Sequence, residues 1–214
     1  GLMAWRHMPK LFVSDHPLVQ DKLSRLRDKA TDPQDFRRLM AEVAMLIGCE
    51  VLKGVRTRKT SVRTPLQTAH AVILDQPLTF VAVLRAGLGM TPGLLELAPK
   101  ASIGHIGLYR DEKTLEPVQY YVRLPKKISE HFVVLCDPML ATGGSASEAI
   151  RILRAAGAKN IALLTLLSSK RGVARIHKDH PDVPVYTAVV DAVLNSKGYI
   201  VPGLGDAGDR LFNT

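Results

Sequence analysis

Apolar residues in this chain alternate between helical spacing and short continuous runs. Ser14-Asp15-His16-Pro17 opens a first predicted helix, with Val19, Leu23 and Leu26 on one face. Asp32-Pro33 opens a second. Asp32 can cap, Pro33 suits the first turn, and Phe36, Leu39, Met40, Val43 and Ile47 recur at helical spacing. Both read as packing helices without chemistry. Over 65–74 the apolar spacing is short and irregular, and Pro77 interrupts the chain just beyond it, so one or two short edge strands are predicted.

Residues 78–84, apolar apart from Thr79, form a buried strand that ends in Arg85-Ala86-Gly87-Leu88-Gly89-Met90, with a helix starting near Thr91-Pro92. Residues 103–109 predict a further strand, leaving Arg110-Asp111-Glu112-Lys113 at its carboxyl end. The mixed stretch 114–124, with Pro117 and Pro125 at or beside it, fits exposed strands or a flexible arm better than core. The run 133–136 then ends in Asp137. A small-residue turn comes next, and a helix begins that buries Ala146, Ala149, Ile150 and Leu153 until Gly157 stops it. Residues 161–167 and 185–190 read as strands, and 170–180 as a short polar helix. Strands alternating with helices predict an α/β chain with a mostly parallel sheet flanked by helices. Ligands of such sheets gather at the carboxyl ends of strands. Arg85, Arg110 and Asp137 each stand at such an end.

The passage Asp137-Pro138-Met139-Leu140-Ala141-Thr142-Gly143-Gly144-Ser145 carries the clearest chemistry. A strand feeding a helix N-terminus through a glycine turn makes an anion site, because the first-turn N–H groups lack intrahelical partners and the helix dipole favours negative charge. Thr142 and Ser145 add hydroxyl donors. The bland alternative is an ordinary strand–helix connection with a capped helix. Arg85 taken alone is as consistent with a surface arginine, and Arg110-Asp111 alone with a surface ion pair. His177 and His180 have no third ligand nearby and read as a solvated helix end, not a metal site. Gly203 to Gly208 spells G-x-G-x-x-G, but no βαβ unit can come after it, so it is no dinucleotide fingerprint. The apolar pairs Tyr199-Ile200 and Leu211-Phe212 around these glycines suggest a pinned loop, which offers bare backbone donors and acceptors to a ligand.

Composition narrows the class without naming it. At 214 residues, 46% hydrophobic and 23% charged, the chain suits one globular domain with a real core. No apolar run reaches the ~18 residues of a membrane span, and no signal-peptide pattern is evident. Cys49 and Cys136 both lie in apolar segments and read as buried, reduced thiols of a cytoplasmic protein. The net charge of +9 suits a polyanionic partner. Only 5% of residues are aromatic, and none interleave with basic runs, which argues against nucleic acid. The basic cluster within 53–63 reads as a solvated face or loop.

With these residues together, the chain resembles the uracil phosphoribosyltransferases of the type I phosphoribosyltransferase superfamily. The likeness is carried by Leu84 to Met90, by Leu108-Tyr109-Arg110-Asp111-Glu112-Lys113 and the residues after it, by Asp137 to Ser145 and by Gly198 to Gly208. The resemblance implies a single phosphoribosyltransferase-like domain over 1–214, with N-terminal helices in 1–60, a protruding β-arm over 110–125 and a uracil-binding tail over 195–214. It implies transfer of the phosphoribosyl group of 5-phosphoribosyl 1-diphosphate (PRPP) to uracil, giving UMP and diphosphate, with Mg²⁺ bound mainly through PRPP and no metal ligands from the chain.

On the family pattern Asp137, Pro138, Met139, Leu140, Ala141, Thr142, Gly143, Gly144 and Ser145 hold the ribose and its 5-phosphate, with Asp137 alone on the ribose hydroxyls. Arg85 and Arg110 take the diphosphate, and Asp206 faces PRPP; these three are the implied catalytic residues. Ile200, Gly205, Asp206 and Ala207 form the uracil site. Uracil shows an acceptor–donor–acceptor edge that backbone groups can mirror, and cytosine would mismatch it, which can discriminate by ~10⁴-fold or more. A homodimer or higher homo-oligomer and a GTP effector are implied as well. Ser168-Ser169-Lys170-Arg171 and the basic 53–63 region depart from the family pattern. Two readings compete: transfer to another base, and an RNA-binding regulator on the same fold. The intact tail argues against both.

Overall fold

Chain order lays out the elements of the computed structural model, which describes residues 8–111 and 116–214 and, of Arg110, the backbone alone. Strand β1 (Leu11–Val13) leads to helices α1 (Pro17–Arg27) and α2 (Pro33–Val51), then to strands β2 (Thr57–Arg63) and β3 (Thr68–Leu74). Next come β4 (Leu78–Leu84), α3 (Thr91–Leu97), β5 (Ser102–Arg110), β6 (Pro117–Arg123) and β7 (Phe132–Cys136). The second half runs β8 (Met139–Leu140), α4 (Gly144–Ala155), β9 (Asn160–Leu164), β10 (Leu167–Ser169) and α5 (Lys170–Asp179). It closes with β11 (Val185–Thr187), β12 (Val189–Asp191), β13 (Val193–Leu194), β14 (Ile200–Val201) and α6 (Ala207–Phe212).

Seven strands form the central sheet in the order β1-β11-β9-β7-β4-β5-β6. Each neighbouring pair is parallel except β5–β6, which is antiparallel at the edge. Burial on both faces explains the unbroken apolar run of β7 and the nearly apolar run of β4, whose Thr79 hydroxyl is paired with His131 Nδ1 at 2.7 Å. On one face Phe80 and Val134 pack with Phe36, Met40, Leu94 and Leu211 from the helices. On the other, Val81 and Leu135 pack with Ile150 of α4 and Ile176 of α5.

The first two helices begin as their sequence signals predict. Asp32 Oδ1 accepts from the Asp35 N–H at 2.8 Å, and the His16 ring accepts from the Leu18 N–H at 3.1 Å. Cys49 departs from expectation. Residues Val43, Ile47 and Val51 face the core, and position 49 falls on the opposite side of α2, so its thiol is exposed while Cys136 is buried.

The predicted strand over 161–167 is two strands. After Leu164 the chain leaves the central sheet and re-pairs as β10 in a three-stranded sheet ordered β12-β10-β8. The run 185–190 divides in the same way, into β11 and β12. At the division the hydroxyls of Thr165, Ser168 and Thr187 meet at 2.8, 2.9 and 3.1 Å and are buried. This network gives the atypical Ser168 a structural reason: three polar side chains satisfy one another where the strands part.

Antiparallel β2 and β3 form a separate two-stranded sheet that begins at Thr57, ahead of the edge strands expected over 65–74. The basic cluster therefore lies partly on a hairpin. Residues 117–123 of the expected arm add β6 to the sheet edge, while 112–115 lie outside the described residues.

Candidate functional site

The strand order reverses between β4 and β7: from β4 the chain steps to β5 on one side, then returns to β7 on the other. Strands parting in opposite directions leave a crevice at their carboxyl ends. Arg85 follows β4 and Asp137 follows β7, so the two stand at that crevice. A cleft of about 340 Å³ opens there, lined by Arg85, Asp137, Asp206 and the loop from Met139 through Ser145.

The loop builds an anion cradle. Gly144, Ser145 and Ala146 open α4, where their N–H groups have no intrahelical acceptor, and the first helical hydrogen bond runs from Ser147 N–H to Gly143 O at 2.9 Å. Gly143 precedes the helix at φ +82°, and a Cβ there would stand 3.0 Å from Gly172 O, so the turn needs glycine. From beneath, the Ser169 hydroxyl donates to Ala141 O while accepting from the Gly172 N–H, tying the loop to the start of α5. This is the second part of the atypical 168–171 passage. It braces the cradle.

Asp137 sits where β7 ends. Burial pushes its carboxyl up to about 7, opposed by a hydrogen bond from the Met139 N–H at 3.4 Å. A partly buried acid lining the crevice is placed to accept hydrogen bonds from a polyol. Arg85 is half-exposed at the opposite wall. Its Nη2 donates to Asp209 Oδ1 at 3.1 Å, and its guanidinium lies 5.3 Å from the centre of the Phe212 ring.

A second cleft of about 430 Å³ adjoins the first and shares Ala86, Asp137, Met139, Ala141, Asp206 and Gly208 with it. Its other wall is the tail: Ile200, Gly205 and Ala207, with Pro138 opposite. The tail is not loose. Its strand β14 pairs back on β13, and it contains the six-residue helix α6, capped by Asp206 Oδ1 accepting from the Asp209 N–H at 2.8 Å. Leu204, Ala207 and Leu211 are buried beneath it.

Each residue proposed from the sequence lines one cleft or both, except Arg110, whose side chain lies outside the described residues. Sequence reasoning assigns no binding role to Lys197, Gly198 and Tyr199 in the second cleft, to Val83, Leu84, Leu108 and Ala146 in the first, or to Ala86 and Gly208, which line both. Their signal is adjacency in sequence to the residues it does name. His180 Nε2 lies 3.1 Å from Ser147 Oγ, and His177 Nε2 lies 3.0 Å from Lys10 O, so both rings have structural partners. Among the described residues no three His, Cys, Asp or Glu side chains are grouped to hold a metal ion, and no helix is long and apolar enough to cross a membrane.

Known proteins place this architecture. The family model for uracil phosphoribosyltransferase matches residues 13–214. A uracil phosphoribosyltransferase of Thermus thermophilus is 52% identical over 96% of this chain and 99% of its own. One of Clostridioides difficile is 50% identical over 97% of this chain and 100% of its own. A solved structure from Aquifex aeolicus superposes with a TM-score of 0.89 at 35% identity, covering 94% of this chain and 97% of that one. An adenine phosphoribosyltransferase of Trypanosoma brucei shares the fold, with a TM-score of 0.58 at 17% identity over 94% of this chain and 90% of its own. On the strength of that match and those identities, spread over nearly the whole chain, this protein belongs to the uracil phosphoribosyltransferase family.

Proposed function

We propose that the two clefts divide one substrate pair: PRPP occupies the first and uracil the second, and the reaction takes place where they meet, beside Asp137 and Asp206. The protein transfers the phosphoribosyl group of PRPP to uracil, giving UMP and diphosphate. The observation that carries this reading is the sharing of Asp137, Met139, Ala141 and Asp206 by two adjoining clefts, one built on the anion cradle and the other walled by the tail.

In the proposed pose the 5-phosphate meets the first-turn N–H groups of α4 and the Thr142 and Ser145 hydroxyls. Asp137 accepts from the ribose hydroxyls. Arg85, and Arg110 from the end of β5, take the diphosphate, where a planar fork binds phosphate oxygens bidentately. Ile200, Gly205 and Ala207 present backbone edges to uracil, aligning N1 with C1′. The bond from C1′ to the diphosphate breaks as the bond to N1 forms, through a loose, oxocarbenium-like transition state. Catalysis then lies in alignment and charge stabilisation. Mg²⁺ is expected to enter on PRPP, where it would neutralise charge on the leaving diphosphate. Asp137 and Asp206 supply hard oxygen donors in that cleft, and these suit the ion.

A homo-oligomer is part of the proposal. The β2–β3 hairpin supports it, since Val62, Val72, Ile73 and Leu74 on its strands and Leu66 in its turn are all exposed. A GTP effector rests on the family resemblance, and a cytoplasmic setting on the two free thiols, Cys49 and Cys136. Purified protein incubated with PRPP, Mg²⁺ and each nucleobase in turn, read by product chromatography, tests the activity. UMP from uracil alone is expected. Transfer to another base, or salt-dependent RNA binding without turnover, would replace the proposal with one of its competitors.

A further inference from the structure

The base-facing loop is gripped by an ion pair that lies in neither cleft. Arg27, the last residue of α1, donates from Nη1 and Nη2 to the two carboxylate oxygens of Asp191, each at 2.9 Å. Asp191 ends β12 and its side chain is 8% exposed. Both partners also hold Gly203. Arg27 Nη1 donates to Gly203 O at 2.9 Å, and Asp191 Oδ2 accepts from the Gly203 N–H at 3.1 Å. One residue thus has its backbone donor and acceptor fixed by the two members of a single bidentate pair.

Gly203 is the pivot of the slot. It follows Ile200 by three positions and precedes Gly205 by two. Its φ of +60° and a virtual Cβ only 2.1 Å from Ile200 O leave the turn no alternative to glycine and no slack. Arg210 reinforces the same end: Nη1 donates to Leu204 O at 2.9 Å, Nη2 donates to Asp28 O at 2.6 Å, and the guanidinium lies 4.4 Å from the centre of the Phe36 ring. The residues around the end of α1 therefore hold a loop some 175 positions away in sequence.

From this we infer that Arg27 and Asp191 are positioning residues for base selection: the pair fixes the register of the backbone edges at Ile200 and 205–207 that face the base. The inference rests on the assignment of those edges to uracil. Discrimination by backbone donors and acceptors depends on their placement to a fraction of an ångström, because a mismatched base is rejected only if its groups are left unpaired. A loosened Gly203 would let the slot accommodate the mismatch. The 5-phosphate and ribose sites, built on α4 and the β4–β7 crevice, do not involve these contacts; Asp206, which lines both clefts, is the one point at which a loosened loop reaches the PRPP side.

Arg27→Lys keeps the charge and removes the fork; Asp191→Asn keeps an acceptor and removes the charge. For each, KM for uracil, KM for PRPP and the uracil-to-cytosine ratio of kcat/KM are measured well below the unfolding temperature, together with amide exchange over 203–207. The expectation is a rise of about tenfold or more in KM for uracil, a comparable fall in the ratio, a several-fold smaller change in KM for PRPP transmitted through Asp206, and faster exchange in the loop. Should either single variant fail to fold, the double variant Arg27→Met/Asp191→Leu leaves no charge unpaired and is read in the same way. A lower melting temperature with uracil KM, base ratio and loop exchange all unchanged would overturn the inference. Failure of the wild-type protein to form UMP would instead overturn the base-site assignment, and loop exchange would still report on the anchor.

Discussion

Arg85 Nη2 donates to Asp209 Oδ1 at 3.1 Å, joining the turn after β4 to a helix that closes the chain 124 positions later. The two clefts are thereby coupled at one side chain, because Arg85 lines the first and α6 continues the segment that edges the second. Both partners are about half exposed, so the pair contributes little to stability, ~0–1 kcal/mol. Its effect falls on the orientation of the guanidinium. Asp209→Ala is expected to raise KM for PRPP several-fold while the melting temperature holds, whereas Arg85→Ala should lower turnover by ~10²-fold or more. Steady-state kinetics alongside thermal denaturation separate the two effects. Full activity in Arg85→Ala would remove it from the proposed site.

Asp137 gives the free protein a pH signature. Its carboxyl, raised by burial to about 7 from an ordinary 3.8, carries a proton in the folded state across that interval where the unfolded chain does not. The folded state binds the extra proton, so this group makes the unliganded protein less stable as pH rises from 3.8 towards 7. Accepting from ribose hydroxyls requires the carboxylate, so PRPP affinity should fall below about pH 7 and binding there should release a proton. Calorimetry of PRPP binding in two buffers of different ionisation enthalpy measures that release directly. Asp137→Asn should abolish it and weaken turnover.

The hydroxyl network at the strand division is a stability element. Thr187→Val leaves the buried Thr165 and Ser168 hydroxyls short of a partner, and a loss of about 1–3 kcal/mol is expected from chemical denaturation. Because β10 carries Ser169, which braces the Ala141 carbonyl, a smaller rise in KM for PRPP should accompany it.

Much of this architecture is legible in the sequence because local signals and tertiary placement agree. Asp32-Pro33 marks a helix start in sequence and caps one in the fold. The apolar runs of β4 and β7 are buried strands, and the residues just past them reach the crevice. Where long-range pairing decides, the sequence is mute. Nothing in Leu164-Thr165-Leu166-Leu167 announces that the chain changes sheets at Thr165, since the change is made by partners in β11 and β12. Helix α6 is short and contains Gly208, which hides it, although Asp206 and Asp209 stand at cap spacing. Cys49 defies its expected burial because hydrophobic surroundings in sequence say nothing of which helix face a residue occupies. The grip of Arg27 and Asp191 on Gly203 joins three distant segments, and no local pattern encodes it.

The most direct test of the account is a crystal structure of the protein with UMP bound. The account predicts the phosphate at the N–H groups of Gly144 and Ser145, the ribose hydroxyls on Asp137, and the pyrimidine edge against Ile200, Gly205 and Ala207. A phosphate seated at the Arg85 turn, or a ring bound away from the tail, would contradict it.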